Sequence, residues 1–228
     1  MLKKGKLIVV SGSSGSGKGT VVKELFKLAE YKFSVSATTR APRIGEADGV
    51  DYYYMTREDF THKIAHGDML EHVEYSGNLY GTPREPVDKM LAEGYSVILE
   101  IEVEGALNIK ANFPEAVLIF LSPPNYAELA RRLRERGTET EEVIEKRLAR
   151  AKIEAESIIK YNYLVINETG EQKKTAFLVN CIAEAEKYKH ISRKDLSREQ
   201  ALILKTAEEN KINGEKVGKF LKIYFDNN

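Results

Sequence analysis

The sequence predicts an α/β fold: a P-loop, three-layer structure around a mainly parallel sheet, carrying an inserted lobe and a helical lid. Three observations predict it. Apolar runs at residues 7–10, 96–101 and 116–121 lack polar alternation and are rich in Val, Ile and Leu, as strands buried on both faces are. Helical patterns at 20–30, 84–93 and 127–136 separate or follow these runs, and such alternation implies a parallel sheet. The first apolar run leads directly into Gly12-Ser13-Ser14-Gly15-Ser16-Gly17-Lys18-Gly19-Thr20, the strand–turn–helix context that a phosphate-binding loop requires.

The remaining elements follow in order. Residues 163–166 read as a fourth buried strand. The stretch 141–161 has apolar or small residues at Val143, Ile144, Leu148, Ala151, Ala155 and Ile158, one helical stripe. A helix over 171–189 closes the core. Residues 34–82 interrupt the alternation with Thr, Tyr, Arg and Gly, a β-like piece at 50–54 and a helix at 57–66; they form the inserted lobe. Residues 123–150 are dense in Arg and Glu, start at Pro123-Pro124 and form the lid. The core thus comprises 1–33, 83–122 and 151–189, and residues 190–228 form a helical C-terminal extension. In that extension Ser197 and Gln200 make a capping box ahead of Ala201, and Asn213-Gly214 marks a turn. Residues 217–225 are amphipathic or strand-like, and Phe220, Leu221, Ile223, Tyr224 and Phe225 need burial against the core or against a second copy in a homodimer.

Composition narrows the class. With 228 residues, 42% of them hydrophobic, the chain suffices for one sizeable core with small inserted lobes. The formal net charge is +0, from 35 basic and 35 acidic residues, which argues against a nucleic-acid coat or a membrane surface. The apolar run near the N-terminus is too short for a signal sequence, and no run reaches the length of a membrane span. Cys181 is the sole cysteine, so an intrachain disulfide is excluded and a cytoplasmic protein is expected. His62 and His66 stand four apart, but with no third ligand nearby they read as a polar helix face rather than a metal pair.

The glycine-rich loop carries the first chemistry. Backbone N–H groups can surround a polyphosphate only where no Cβ blocks the approach, so Gly12, Gly15 and Gly17 clear space. The following helix directs free N–H groups and the positive end of its dipole at the anion. Lys18 adds a point charge near the β- and γ-phosphates. Gly19 stands where the usual pattern has its hydroxyl, which arrives one residue later as Thr20, the candidate Mg²⁺ neighbour. A plain flexible glycine–serine turn is the competing reading.

The second constellation is an acceptor site. Arg40 and Arg43, three apart around Pro42, suit a clamp on one doubly charged phosphate. Tyr52, Tyr53 and Tyr54 follow with phenolic donors. A buried Glu71 would pair with the N1–H and N2–H₂ edge of guanine, where adenine offers no donor pair. Solvated surface charge is the alternative for the two arginines, and an isolated structural carboxylate the alternative for Glu71.

The loop at 12–20, the element Ser36…Thr39-Arg40-Ala41-Pro42-Arg43-Ile44-Gly45-Glu46, the run Ser76-Gly77-Asn78-Leu79-Tyr80-Gly81-Thr82, and Arg136-Gly137-Thr138-Glu139-Thr140 together resemble the guanylate kinase family, in its order and spacing, over about residues 5 to 188. The resemblance implies a nucleoside monophosphate kinase fold with core, GMP-binding lobe and lid. It implies a GMP site at Ser36, Arg40, Arg43, Tyr52, Glu71, Tyr80, Thr82 and Glu102, and an ATP site at the glycine loop with Arg132 and Asn167. Glu100 and Glu102 match the family's acidic pair; the second is usually Asp, one methylene shorter. Lys18, Arg40, Arg43, Arg136 and Arg147 are the implied catalytic residues.

The implied reaction is transfer of the ATP γ-phosphoryl group to GMP or dGMP, with Mg²⁺ beside Thr20 and Glu100 in its outer shell. A surface ion-pair network is the competing reading for Arg132, Arg136 and Arg147. A phosphopeptide-binding scaffold module predicts a degraded phosphate loop, whereas Lys18 and Thr20 are both present. A kinase of the same fold acting on another phosphorylated small molecule would lack a use for Glu71 with Thr82. A GTPase switch lacks a second guanine motif.

Overall fold

The computed structural model describes residues 5–226 except Ser76 and Thr138, so those two motif positions and the first four residues lie outside the described residues. The chain opens with β1 (Leu7–Ser11), the glycine loop and α1 (Lys18–Leu25), then β2 (Lys32–Phe33), β3 (Ala37–Thr38), β4 (Tyr53–Tyr54) and α2 (Arg57–Ala65). Next come β5 (Met69–Tyr75), β6 (Asn78–Pro83), α3 (Arg84–Ala92), β7 (Val97–Glu100), α4 (Val103–Asn112) and β8 (Val117–Ser122). α5 (Tyr126–Glu135), α6 (Glu141–Glu156), a 3₁₀ turn (Ser157–Lys160), β9 (Tyr163–Ile166) and α7 (Gln172–Tyr188) follow, and α8 (Arg198–Asn210) and α9 (Gly214–Asp226) end the chain. The chain divides into two compact units.

The first unit comprises Met1–Ile8, Glu30–Leu99 and Glu104–Ala116. Its strand order is β2-β7-β1, ending on the first residues of β1, with β2 and β7 parallel and Lys32 opposite Val97. A second sheet runs β4-β3-β6-β5, with β3 parallel to β4 and antiparallel to β6. The β5–β6 hairpin puts Glu71 opposite Thr82. Ala37, Phe60, Met69 and Leu79, flanked by Met55 and Ile64, form the core of this lobe. Thr56 starts α2 by accepting the backbone N–H of Asp59, as an N-cap should.

The second unit comprises Val9–Ala29, Glu100–Val103 and Val117–Asn228. Its strand order is β1-β8-β9, beginning on the last residues of β1, with β8 and β9 parallel. All six residues of β8 are buried, which is why their sequence shows no alternation. α1 packs on α7, and α5 on α6 around Leu129, Ala130, Leu133, Ile144, Leu148 and Ala151. α8 opens with the expected capping box of Ser197 and Gln200 and lies on α7 and β9.

Several elements differ from the sequence expectation. α1 ends at Leu25, because the next N–H groups turn to three-residue bonds, Lys27 to the Glu24 carbonyl and Leu28 to that of Leu25. The helix expected over 141–161 stops at Glu156 and tightens into the 3₁₀ turn; it also runs unbroken past residue 150. Of 50–54 only Tyr53 and Tyr54 are strand; Val50 and Asp51 return their N–H groups to the Ala47 carbonyl in a turn. α4, β5 and β6 were not anticipated as separate elements. Residues 214–226, ambiguous in sequence, are helical, and Phe220 and Tyr224 are buried within the same chain while Ile223 is exposed.

Phe60 is fully buried at the centre of the lobe. Phe60→Ala is expected to cost about 3–5 kcal/mol, read as an earlier denaturant midpoint for the lobe, and an unchanged midpoint would show that this cluster does not hold it together.

Candidate functional site

The glycine loop lies wholly in the second unit. Gly12 (φ 151°) passes so close to β8 that a Cβ there would sit 2.0 Å from the Leu121 carbonyl oxygen. Gly17 takes the left-handed conformation (φ 92°) as the N-cap of α1, without a side-chain cap and with no acidic residue in the first turn. The first-turn N–H groups and the helix dipole thus present a positive end to an anion. Two side chains hold the loop by one carbonyl: that of Ser16 accepts from Asn167 Nδ2 at 2.8 Å and from the Arg132 guanidinium at 3.3 Å. Asn167 is buried, and its Oδ1 accepts from Thr175 at 3.1 Å. Both ends of this amide therefore serve the protein itself. Arg132 is further tied to Glu128 and to the Asn167 carbonyl, both below 2.9 Å.

Lys18 is buried and folds back over the loop, donating to the Gly12 carbonyl at 2.6 Å and to Glu102 Oε1 at 3.1 Å. Glu102, matched to the guanine site in the sequence, is thus found paired with the loop lysine. A Cβ at Gly19 would come to 3.3 Å from Glu100 Oε1, a tight contact that the glutamate would have to ease by a few tenths of an ångström. Burial pushes the Glu100 carboxyl up from its ordinary range, against the pull of Lys18. Thr20 is exposed one residue along. Hydroxyl and carboxylate are hard oxygen donors, and Mg²⁺ is commonly held by one or two such groups plus phosphates, so the residues present fit that ion.

The helices α5 and α6 place their arginines differently. Arg147, on α6, donates to Ser14 Oγ at 2.7 Å and pairs with Glu139; its Nε is buried without a partner among the described residues. Arg136 is exposed at the C-cap of α5. The ion-pair network expected as the competing reading includes two of these arginines, Arg132 with Glu128 and Arg147 with Glu139, beside Arg131 with Glu128 and Glu135 and Arg134 with Glu141. The hydrogen bond from Arg131, with Thr169 and Arg132 adding to it against some burial, holds the Glu128 carboxyl at about 2.

The second constellation lies in the first unit. Glu71 on β5 is 4% exposed and accepts from Thr82 Oγ1 across the hairpin at 2.8 Å. Burial pushes this carboxyl up to about 7, against the Thr82 hydrogen bonds and with the Glu104 charge adding to the rise. Arg40 gives one guanidinium nitrogen to both oxygens of Glu46, at 3.0 and 2.9 Å, and stands 5.4 Å over the Tyr52 ring. Tyr80 meets Tyr52 edge-on at 6.1 Å, which brings Arg40, Tyr52 and Tyr80 together. Arg43 is exposed, with its backbone N–H on Glu46. Ser36 is half-buried, and its carbonyl accepts from Tyr53.

Sequence reasoning quoted Glu46 but assigned it no role. It organises the cluster: the Arg43 N–H, then the Tyr54 hydroxyl and Arg40, hold its carboxyl at about 2 against some burial. The signal was available, an acidic residue three positions past the second clamp arginine in a glycine turn.

A protein-family model described as guanylate kinase matches residues 4–182. A guanylate kinase of Streptococcus mutans serotype c is 50% identical over 191 residues, covering 83% of this chain and 90% of that protein. One of Bacillus cereus is 52% identical over 171 residues, covering 74% and 83%. Among solved structures, a guanylate kinase from Anaplasma phagocytophilum matches with a TM-score of 0.67 at 32% identity, covering 82% of this chain and 89% of that one. The family match ends before α8 and α9.

Because the Glu71 carboxyl lies near 7 in the folded chain against an ordinary 4.5, the folded state keeps a proton that the unfolded state releases between those values. Stability is therefore full below pH 4.5 and falls as pH rises through 7, by about 3 kcal/mol from this group. Denaturant titrations at several pH values should show that slope in the parent and its loss in Glu71→Gln; an identical slope in both would refute it.

Proposed function

The chain belongs to the guanylate kinase family, and from that premise we propose how its own residues carry out the ATP-dependent phosphorylation of GMP to GDP. The observation that carries the acceptor assignment is the buried Glu71–Thr82 pair. A carboxylate sheltered from water discriminates strongly between a base edge that donates two hydrogen bonds and one that does not, because the wrong base leaves a buried polar group unpaired. Glu71 reads the N1–H and N2–H₂ edge of guanine, with Thr82 steering the carboxylate and Ser36 at the same end of the site. dGMP is proposed as a second acceptor.

Arg40, Arg43, Tyr52 and Tyr80 hold the acceptor phosphate. Glu46 keeps the Arg40 guanidinium aligned over Tyr52 before substrate arrives, and the phosphate then takes over donors that Glu46 shares. No general base is needed, since the second pKa of a phosphate monoester is about 6 and the nucleophile is already anionic. Catalysis is therefore alignment and charge stabilisation. The loop N–H groups and Lys18 hold the β- and γ-phosphates of ATP. Glu102 fixes the Lys18 ammonium, and Arg132 and Asn167 act on ATP by keeping the Ser16 carbonyl, and so the loop, in place. Arg147 and Arg136 approach the migrating phosphoryl group from the lid.

Mg²⁺ bound with ATP would be held by Thr20 and, through water, Glu100, and it supplies charge neutralisation of the phosphates. No described helix is long and apolar enough to cross a membrane, and a cytoplasmic setting in purine nucleotide metabolism is proposed.

A coupled ADP-release assay with ATP-Mg²⁺ and GMP, AMP, CMP or UMP in turn should show turnover with GMP alone, lost in Lys18→Ala. Turnover with another acceptor would sink the Glu71 assignment while leaving the phosphate loop. Arg147→Ala should lower kcat on the order of 10³-fold with little change in the GMP dissociation constant by calorimetry, whereas an unchanged kcat would leave Arg147 as a structural partner of Ser14 and Glu139.

A further inference from the structure

α9 lies beyond the residues shared with the family, yet it reaches both connections of the lid. The α5–α6 pair leaves the sheet at Tyr126 and returns through the 3₁₀ turn at Ser157–Lys160. α9 packs on that turn, and its Tyr224 ring meets the Tyr126 ring edge-on at 6.1 Å. Tyr224 is 1% exposed, and Phe220 lies against it at 5.0 Å. Val217, Phe220 and Tyr224 form one buried stripe on α9, so the helix is seated by design of its sequence rather than laid on the surface.

The helix is also anchored to the sheet. The Ile212 N–H donates to the Asn162 carbonyl at 3.0 Å, Lys211 bridges Tyr163 at the edge of β9, and Asn213 caps α9 by accepting from Lys216 at 2.8 Å. The Lys152 ammonium of α6 also stands 4.7 Å from the centre of the Tyr126 ring. Any rotation of the α5–α6 pair has to be absorbed at its two connections, and α9 meets both, with Tyr224 at the first of them.

We infer that Tyr224 is a positioning residue for phosphoryl transfer: held against Tyr126 by α9, the helix that also packs on the turn ending α6, it fixes the base of the lid and thereby the place where Arg147 meets the phosphate loop. The inference rests on the reading of α5–α6 as a lid that delivers Arg147. It differs from simple tail packing in that losing the ring moves chemistry more than GMP binding, because Arg40, Arg43, Tyr52, Glu71, Tyr80 and Thr82, proposed to hold GMP, lie in the other unit.

The test uses the full chain with Tyr224→Ala, Tyr224→Phe and, in α8 away from the lid, Ala207→Gly. For each, kcat, KM for GMP, the thermal midpoint and hydrogen exchange over residues 126–156 are measured. Tyr224→Ala should lower kcat roughly 10- to 100-fold and speed exchange across the lid, with KM for GMP within about twofold of the parent. Tyr224→Phe, which keeps the ring, should restore kcat, and Ala207→Gly should lower the midpoint while keeping kcat. The inference is overturned if Tyr224→Ala keeps kcat with unchanged lid exchange, or if Ala207→Gly loses kcat equally for the same fall in midpoint. Should Tyr224→Ala not fold, Tyr224→Leu is read by the same criteria. An unchanged kcat in Arg147→Ala, alongside faster lid exchange in Tyr224→Ala, would instead locate the failure in the lid reading.

Discussion

Backbone crowding around the phosphate loop is the constraint on which the rest of the second unit depends. The chain leaves β1 so close to β8 that any Cβ at residue 12 would overlap the Leu121 carbonyl, and any at residue 17 would lie 2.4 Å from Asn167 Nδ2. Glycine at these places is a steric requirement of the turn, not a sign of looseness. Once the turn is made, the Ser16 carbonyl needs donors, and Asn167 at the end of β9 and Arg132 on α5 supply them. The loop is therefore clamped by residues more than a hundred positions away. Lys18, whose place follows from the loop, can then be set by a carbonyl and a carboxylate rather than by solvent.

The first unit holds two glutamates in opposite states, and the environment alone separates them. Glu71 is taken out of water with a neutral hydroxyl as its nearest partner and with Glu104 nearby, so its proton is held up to about 7. Glu46 meets a backbone N–H, a phenol and a guanidinium, so its charge is kept down to about 2. Glu46 is thus a fixed anion that orders Arg40 and the Arg43 backbone, while the Glu71 carboxyl is balanced near neutrality, where a hydrogen-bond donor can tip it to the charged form.

The tail gives the fold a third point of order. Its capping box, the bridge to the edge of β9 and the seating of Phe220 and Tyr224 use ordinary devices: satisfied helix ends, a covered sheet edge and a buried aromatic stripe. Together they tie the two connections of the α5–α6 pair to the strand layer that carries the phosphate loop, with residues that the family match does not include.

The sequence by itself determined the buried strands, because a strand covered on both faces has to be apolar at every position, as β8 is. It determined the phosphate loop, because glycine is the only residue that close backbone crossing tolerates, and the start of α8, because a capping box is a local hydrogen-bond pattern. The type of α9 and the ends of α1 and α6 were left to tertiary packing, which overrides weak local preference. So were the pairing of Glu102 with Lys18 across 84 residues, the use of Asn167 to hold the loop, and the rise of Glu71 toward 7, because desolvation and long-range hydrogen bonds are properties of the folded surroundings that no local spacing encodes.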